Sequence, residues 1–122
     1  MQNLAGPGVL SDCPTRLTVE ILSEKWAALV IFALRQGPRR HGELVDVVGG
    51  ISRKMLAHTL RRLADYGLVE RHAGASRRIE YRLTELGETL IGPIEVLNDW
   101  ARDNGGAVTA FQERAKGEGP LA

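Results

Sequence analysis

A mainly α fold with a small β-hairpin wing is predicted for this chain: a winged helix-turn-helix with extra dimerisation helices at the N- and C-terminal ends. Three observations predict it. Residues 50–83, GISRKMLAHTLRRLADYGLVERHAGASRRIEYRL, read as a helix with a basic outer face, a strand, a short basic turn and a second strand. A shorter helix precedes them and ends at Gly49-Gly50. Further apolar residues at helical spacing lie on both sides of this block, outside any compact winged body.

Each element has a local reason. Residues 1–12, with Gly6, Pro7 and Gly8, read as a flexible arm. Pro14 suits the first position of a helix, where its missing amide costs nothing, and a helix over about 14–23 puts Leu17, Ile21 and Leu22 on one side. Trp26, Leu29, Val30, Ala33 and Leu34 then recur at helical spacing until Gly37-Pro38 stops the helix. A third helix over 40–48 turns Leu44, Val47 and Val48 inward. Ser52 caps the fourth, which runs to about Tyr66, with Gly67 as its left-handed stop. Strand character over 68–73 and 78–83, joined by Gly74, Ala75 and Ser76, makes the hairpin. Thr84 caps a long helix predicted to end at Gly105-Gly106, with a last short helix over 107–115. The expected division is an arm at 1–12, a winged domain with its dimerisation helices at 13–104, and a C-terminal helix and tail at 105–122.

Charge is distributed unevenly. Between Arg35 and Arg82 stand eleven basic and five acidic side chains, a balance of +6; outside that window five basic and ten acidic give −5. A basic middle with acidic ends suits a polyanion on one face. A single cysteine excludes an intrachain disulfide framework and a multi-cysteine zinc site, and favours a cytoplasmic protein. No signal peptide and no apolar run of membrane-spanning length are legible. His41, His58 and His72 lack metal-ligand spacing. No nucleophile elbow or glycine-rich phosphate loop is present, so neither enzyme, metal nor cofactor is expected.

The predicted fourth helix carries the binding chemistry. With Leu56 at the centre of the buried face, Leu60 and Leu63 fall within about 40° of it at 100° per residue. Lys54, His58, Arg61 and Asp65 fall on the far side, flanked by Arg53 and Arg62. Long donors at the front of such a helix can reach guanine acceptors in the major groove of double-stranded DNA; residues nearer the rear, such as Arg62, more often meet phosphate. Ser52 joins the set at the helix start. Arg77 and Arg78 occupy the hairpin turn, and Arg39 and Arg40 precede the third helix, where amides at a helix start favour an anion. An ordinary solvated face remains the alternative for each. Leu17, Leu97, Trp100 and Phe111 find no place inside a compact winged domain and are expected at a homodimer interface, which would set two reading helices on paired half-sites. Trp26 is core or the lining of a cleft, and an apolar effector beside it and the long helix is an alternative reading, as is a protein-interaction module without DNA binding. Cys13, just before Pro14, feels the positive end of a helix dipole, which favours thiolate. A redox or electrophile sensor and a small buried hydrophobe both fit it.

These residues fall in the order of a known family. Cys13-Pro14, Glu24-Lys25-Trp26, Gly37-Pro38-Arg39, Glu43-Leu44, Gly50-Ile51-Ser52, Leu56, Leu60, Leu63, Gly67-Leu68-Val69 and Tyr81-Leu83-Thr84-Gly87 resemble the HxlR-type, MarR-like bacterial transcription regulators over about residues 12–104. The resemblance implies a homodimeric winged helix-turn-helix that binds operator DNA. It also implies, for Cys13, a place among family cysteines that sense quinones, aldehydes or oxidants. Two departures stand out: His41 replaces a usual aromatic, and no second cysteine exists for a disulfide within one chain.

Overall fold

The computed structural model describes residues 14–75 and 77–117. Six helices and one hairpin follow in the order α1 (Pro14–Leu22), α2 (Ala27–Ala33), α3 (His41–Val48), α4 (Arg53–Asp65), β1 (Val69–Ala73), β2 (Ile79–Leu83), α5 (Glu85–Glu88) and α6 (Ile91–Gly117). The core is aliphatic. Val30 and Ile31 from α2, Leu44 from α3 and Leu56 and Leu63 from α4 are its most deeply buried side chains, and Leu68, Val69, Leu83 and Ile94 extend it under the hairpin and α6. The two inward stripes of α3 and α4 pack on α2 as the pattern predicts. The phase differs in two places. Val47 and Leu29 are about half exposed, while Val45 and Ile31 take the inward positions. Leu29 lies about 100° round α2 from Val30 on the side away from Ile31, and is therefore turned outward.

α4 is closed at both ends by local chemistry. Ser52 Oγ accepts from the Met55 amide at 3.0 Å, and at the far end Leu68 N–H bonds Leu63 O while Gly67 N–H bonds Ala64 O. That pair of bonds is a Schellman motif, which needs the left-handed φ of 76° found at Gly67. The chain then enters an antiparallel hairpin with Val69 opposite Leu83 and Arg71 opposite Tyr81. Arg39, in the link between α2 and α3, exchanges both backbone bonds with Tyr81, at 3.0 and 2.8 Å. This bridge ties the wing to the helices and answers how a two-stranded hairpin becomes stable.

The C-terminal helices depart most from expectation. The predicted single helix from Thr84 is broken at Thr89-Leu90 into α5 and α6, and the predicted stop at Gly105-Gly106 does not occur: α6 runs unbroken to Gly117. Neither glycine has a positive φ. Without a left-handed residue or a proline nothing forces a stop, and Asn104 Nδ2 instead bonds Trp100 O along the helix. At 27 residues α6 is about 40 Å long. Ile94 alone of its described residues is buried.

Candidate nucleic-acid interface

The helix-turn-helix pair is α3 and α4, joined by Gly49 to Ser52. Burial of Leu56, Thr59, Leu60 and Leu63 fixes the rotation of α4 and leaves Ser52, Arg53, Lys54, His58, Arg61 and Arg62 exposed. Arg53, Lys54, His58 and Arg61 have no acidic partner in salt-bridge range among the described residues. Arg53, Lys54 and Arg61 are cations that a duplex can meet without first breaking an ion pair, with His58 between them and Asp65 the one acid of α4 on that side.

Arg62 is placed differently. Its Nε donates to Glu24 Oε1 at 3.0 Å, across 38 residues of chain, and its guanidinium lies 5.8 Å from the Tyr66 ring. The hydrogen bond and charge of Glu24 raise the Arg62 pKa above its ordinary alkaline value, so the group is cationic at every working pH. The expected phosphate contact thus has an intramolecular partner and a role in seating α4 against the α1–α2 turn.

The arginines before α3 divide likewise. Arg39 is half-buried; its Nε donates to Ala33 O at 2.8 Å, and its backbone carries the bridge to the wing. It is a structural clamp. Arg40 is exposed at the N-cap of α3; its amide bonds Glu43 Oε1 at 3.0 Å, and its guanidinium stands 3.6 Å from that carboxylate. At 3.6 Å and in solvent this pair is weak, which leaves Arg40 free to approach a phosphate. At the wing tip Arg77 N–H bonds Gly74 O, and Arg77 has a φ of 62°. A non-glycine residue in that region is strained. The turn holds the side chain outward at the hairpin apex, beside exposed Arg78. Arg78 has no acidic partner in salt-bridge range among the described residues, and Glu70 pairs with Arg82.

The wing contains an arginine that sequence reasoning passed over. Arg71 faces α4 across a groove that also holds Arg61. Strand alternation alone assigns it to the face of Val69 and so toward the helices, a signal available in the sequence.

The candidate dimer residues are all exposed: Leu17 by 52%, Leu97 by 51%, Trp100 by 57% and Phe111 by 66%. Leu17 and Leu97 border an apolar cleft of about 350 Å³ between α1, α2 and α6, with Ile21, Ala28, Ile31 and Ile94 in its walls and Glu24 and Lys25 at its edge. Trp26, expected in the core or lining a cleft, packs half-buried against the core and is not among the walls of this cleft; its ring carries Lys25 Nζ at 5.2 Å and reaches toward Gly50. Cys13 lies outside the described residues. No transmembrane-length apolar helix and no group of potential metal ligands occur among the described residues.

Residues 21–108 match the family model for HxlR-like helix-turn-helix proteins. The HTH-type transcriptional regulator YkvN of Bacillus subtilis is 39% identical over 109 residues, 88% of each chain. Among solved structures, the reduced transcriptional regulator YodB from B. subtilis is similar with a TM-score of 0.66 and 33% identity, over 73% of this chain and 90% of that one. YodB has also been solved diamide-treated and quinone-bound. The redox regulator HypR in its reduced form gives a TM-score of 0.72 at 26% identity, over 80% of this chain and 99% of that one.

Proposed function

Because the chain belongs to the HxlR-like helix-turn-helix family, we propose that it grips operator DNA as a homodimer, with α4 in the major groove and the wing tip on the flanking backbone. It is a transcriptional regulator, not an enzyme. The observation that carries the mode of binding is the outward face of α4, capped by Ser52 and continued by Arg77 at the wing apex, whose Arg53, Lys54 and Arg61 have no acidic partner in salt-bridge range among the described residues. Arg53, Lys54 and His58 at the front of the helix read base edges; Arg40, Arg61, Arg77 and Arg78 meet phosphate. Arg39 and Arg62 leave this set because each already serves the fold. Lys54→Ala should weaken operator binding by about 1–3 kcal/mol and relax preference at one base pair. Arg77→Ala should weaken all duplexes alike and flatten the salt dependence. Unchanged affinities in a fluorescence-anisotropy titration of both variants would reject the reading.

The homodimer is supported by Leu17, Leu97, Trp100 and Phe111, whose exposed apolar faces on α1 and α6 suit a two-fold partner. For regulation, YodB in diamide-treated and quinone-bound forms and the redox regulator HypR in reduced and oxidised forms supply the precedent, and Cys13 directly precedes α1 in sequence. We propose that Cys13 carries that sensing. As the only cysteine, it can form a disulfide with the partner subunit or a small thiol, or an adduct with a quinone. Operator affinity of the parent should change on treatment with diamide or a quinone, and that of Cys13→Ser should not; an unresponsive parent would end the proposal. The apolar cleft between α1, α2 and α6 favours a second reading, a small apolar effector, tested by whether a hydrophobic probe that binds the protein alters operator affinity.

A further inference from the structure

The two faces of the wing hairpin differ in charge. On one, Glu70 pairs with Arg82 at 2.5 Å and His72 stands opposite Glu80. On the other, Val69, Arg71 and Ala73 stand opposite Leu83, Tyr81 and Ile79. Strand alternation therefore puts both acids of the hairpin on the first face and leaves Arg71 without one on the second. That second face is turned to α4. An open groove of about 310 Å³ runs between them, and Arg71 and Tyr81 of the wing face Ala57, Arg61 and Ala64 of α4 across it. Two guanidinium groups thus share one groove with no carboxylate in its walls. Neither has an acidic partner in salt-bridge range among the described residues. Like charges gathered this way repel until an anion joins them, and the short side chains of Ala57 and Ala64 leave room for one.

We propose that this groove seats a single DNA backbone phosphate, held jointly by Arg61 and Arg71, and that Arg71 is a positioning residue for the duplex. The inference rests on the operator-binding reading and deepens it. Taken in one sense round α4 from Leu56, Arg61 lies about 140° and Lys54 about 160° away, so the two share one side of the helix, and His58 lies about 160° away in the other sense. Arg61 and Lys54 are separated along the axis instead, by seven residues or about 10 Å: Lys54 stands at the front of the helix, aimed at base edges, and Arg61 beside the wing, toward the backbone that passes between helix and wing. A phosphate clamped there fixes the depth and angle of α4 in the groove while carrying no sequence information.

The test is a set of salt titrations on the full-length protein, with an operator duplex and a random duplex, for the parent, Arg71→Gln, Arg71→Lys, Arg61→Gln and the double glutamine variant. Arg71→Gln should lose roughly three- to tenfold in affinity on both duplexes alike, and its salt slope should fall by about one. Arg71→Lys should keep the parental slope. The double variant should lose less than the product of the two single losses, since both side chains serve one phosphate. Melting temperatures equal to the parent's show that the wing is intact. Parental affinity and slope in Arg71→Gln, or a changed ratio of operator to random binding, would overturn the assignment. If Lys54→Ala loses operator binding while Arg71→Gln does not, only this inference fails. A parent that binds neither duplex overturns the operator reading and this one with it.

Discussion

Gly87 sits where α5 passes over Leu68, and a Cβ built on it would overlap the Leu68 carbonyl oxygen. The same carbonyl accepts the Thr84 amide at 3.0 Å, and Thr84 Oγ1 both donates to Gly67 O and accepts from the Gly87 amide. The Thr84–Gly87 spacing thus has a physical meaning: a cap and a close approach that together lock the end of the wing to the end of α4. Gly87→Ala should destabilise the protein by about 1–3 kcal/mol as α5 is pushed off Leu68, seen as a lower urea midpoint. A parental midpoint would show that α5 moves at no cost. Arg77 makes the opposite case. Its φ of 62° costs an arginine about 1–2 kcal/mol, part of which glycine returns through greater unfolded-state freedom. Arg77→Gly should raise stability by about 0.5–1 kcal/mol while lowering DNA affinity. A variant that melts lower would mean the turn does not hold this strain.

At the scale of elements, α4 is a helix whose rotation is decided by its core face and whose seating is decided by its flanks. Arg62 reaches the α1–α2 turn through Glu24, Arg61 faces the wing, and only Arg53, Lys54 and His58 are left to lead into a groove. α6 shows the converse, a helix continuing where local propensity advised a stop. Ideal Cβ atoms on Gly105 and Gly106 meet nothing within 4 Å, and neither residue is left-handed. Alanine at either position should therefore stabilise α6 by about 0.5–1 kcal/mol and raise the helical circular-dichroism signal. If the pair were a genuine break between two helices, the same substitutions would lower stability.

For the whole molecule, the telling fact is the amount of apolar side chain that the single chain leaves uncovered. On α6, Leu97, Trp100, Val108 and Phe111 are exposed by 41–66%. At 100° per residue they fall within about 60° of Leu97, forming one stripe down the helix. Ile94 is buried in the core and Ile91 packs against it, so a truncation near Gly87 would uncover the core, and a point change on the stripe is the cleaner probe. Trp100→Glu should convert a species of twice the 13.3 kDa chain mass to a monomer in light scattering. Its far-ultraviolet spectrum should be unchanged and its affinity for paired half-sites should fall. A parent that scatters as a 13.3 kDa particle at micromolar concentration would reject the dimer.

Local chemistry is legible in a chain of letters. The stripe Leu56-Leu60-Leu63, the Ser52 and Thr84 caps, the Gly67 stop and the two strands around a polar turn each follow from side chains within a few residues of one another. The structure finds all of them within one or two positions of the predicted bounds. The sequence thereby determined the winged helix-turn-helix and the outward face of its fourth helix. Tertiary structure alone decided which cations are free. Arg62 meets Glu24 across 38 residues, Arg39 is drawn inward by Ala33 O and by Tyr81 on a distant strand, and Arg71 meets Arg61 only once the hairpin lies on α4. A guanidinium looks the same in sequence whether it is a clamp or a contact. Its partner is chosen by packing between elements far apart in the chain, and periodicity within one element carries no information about that packing.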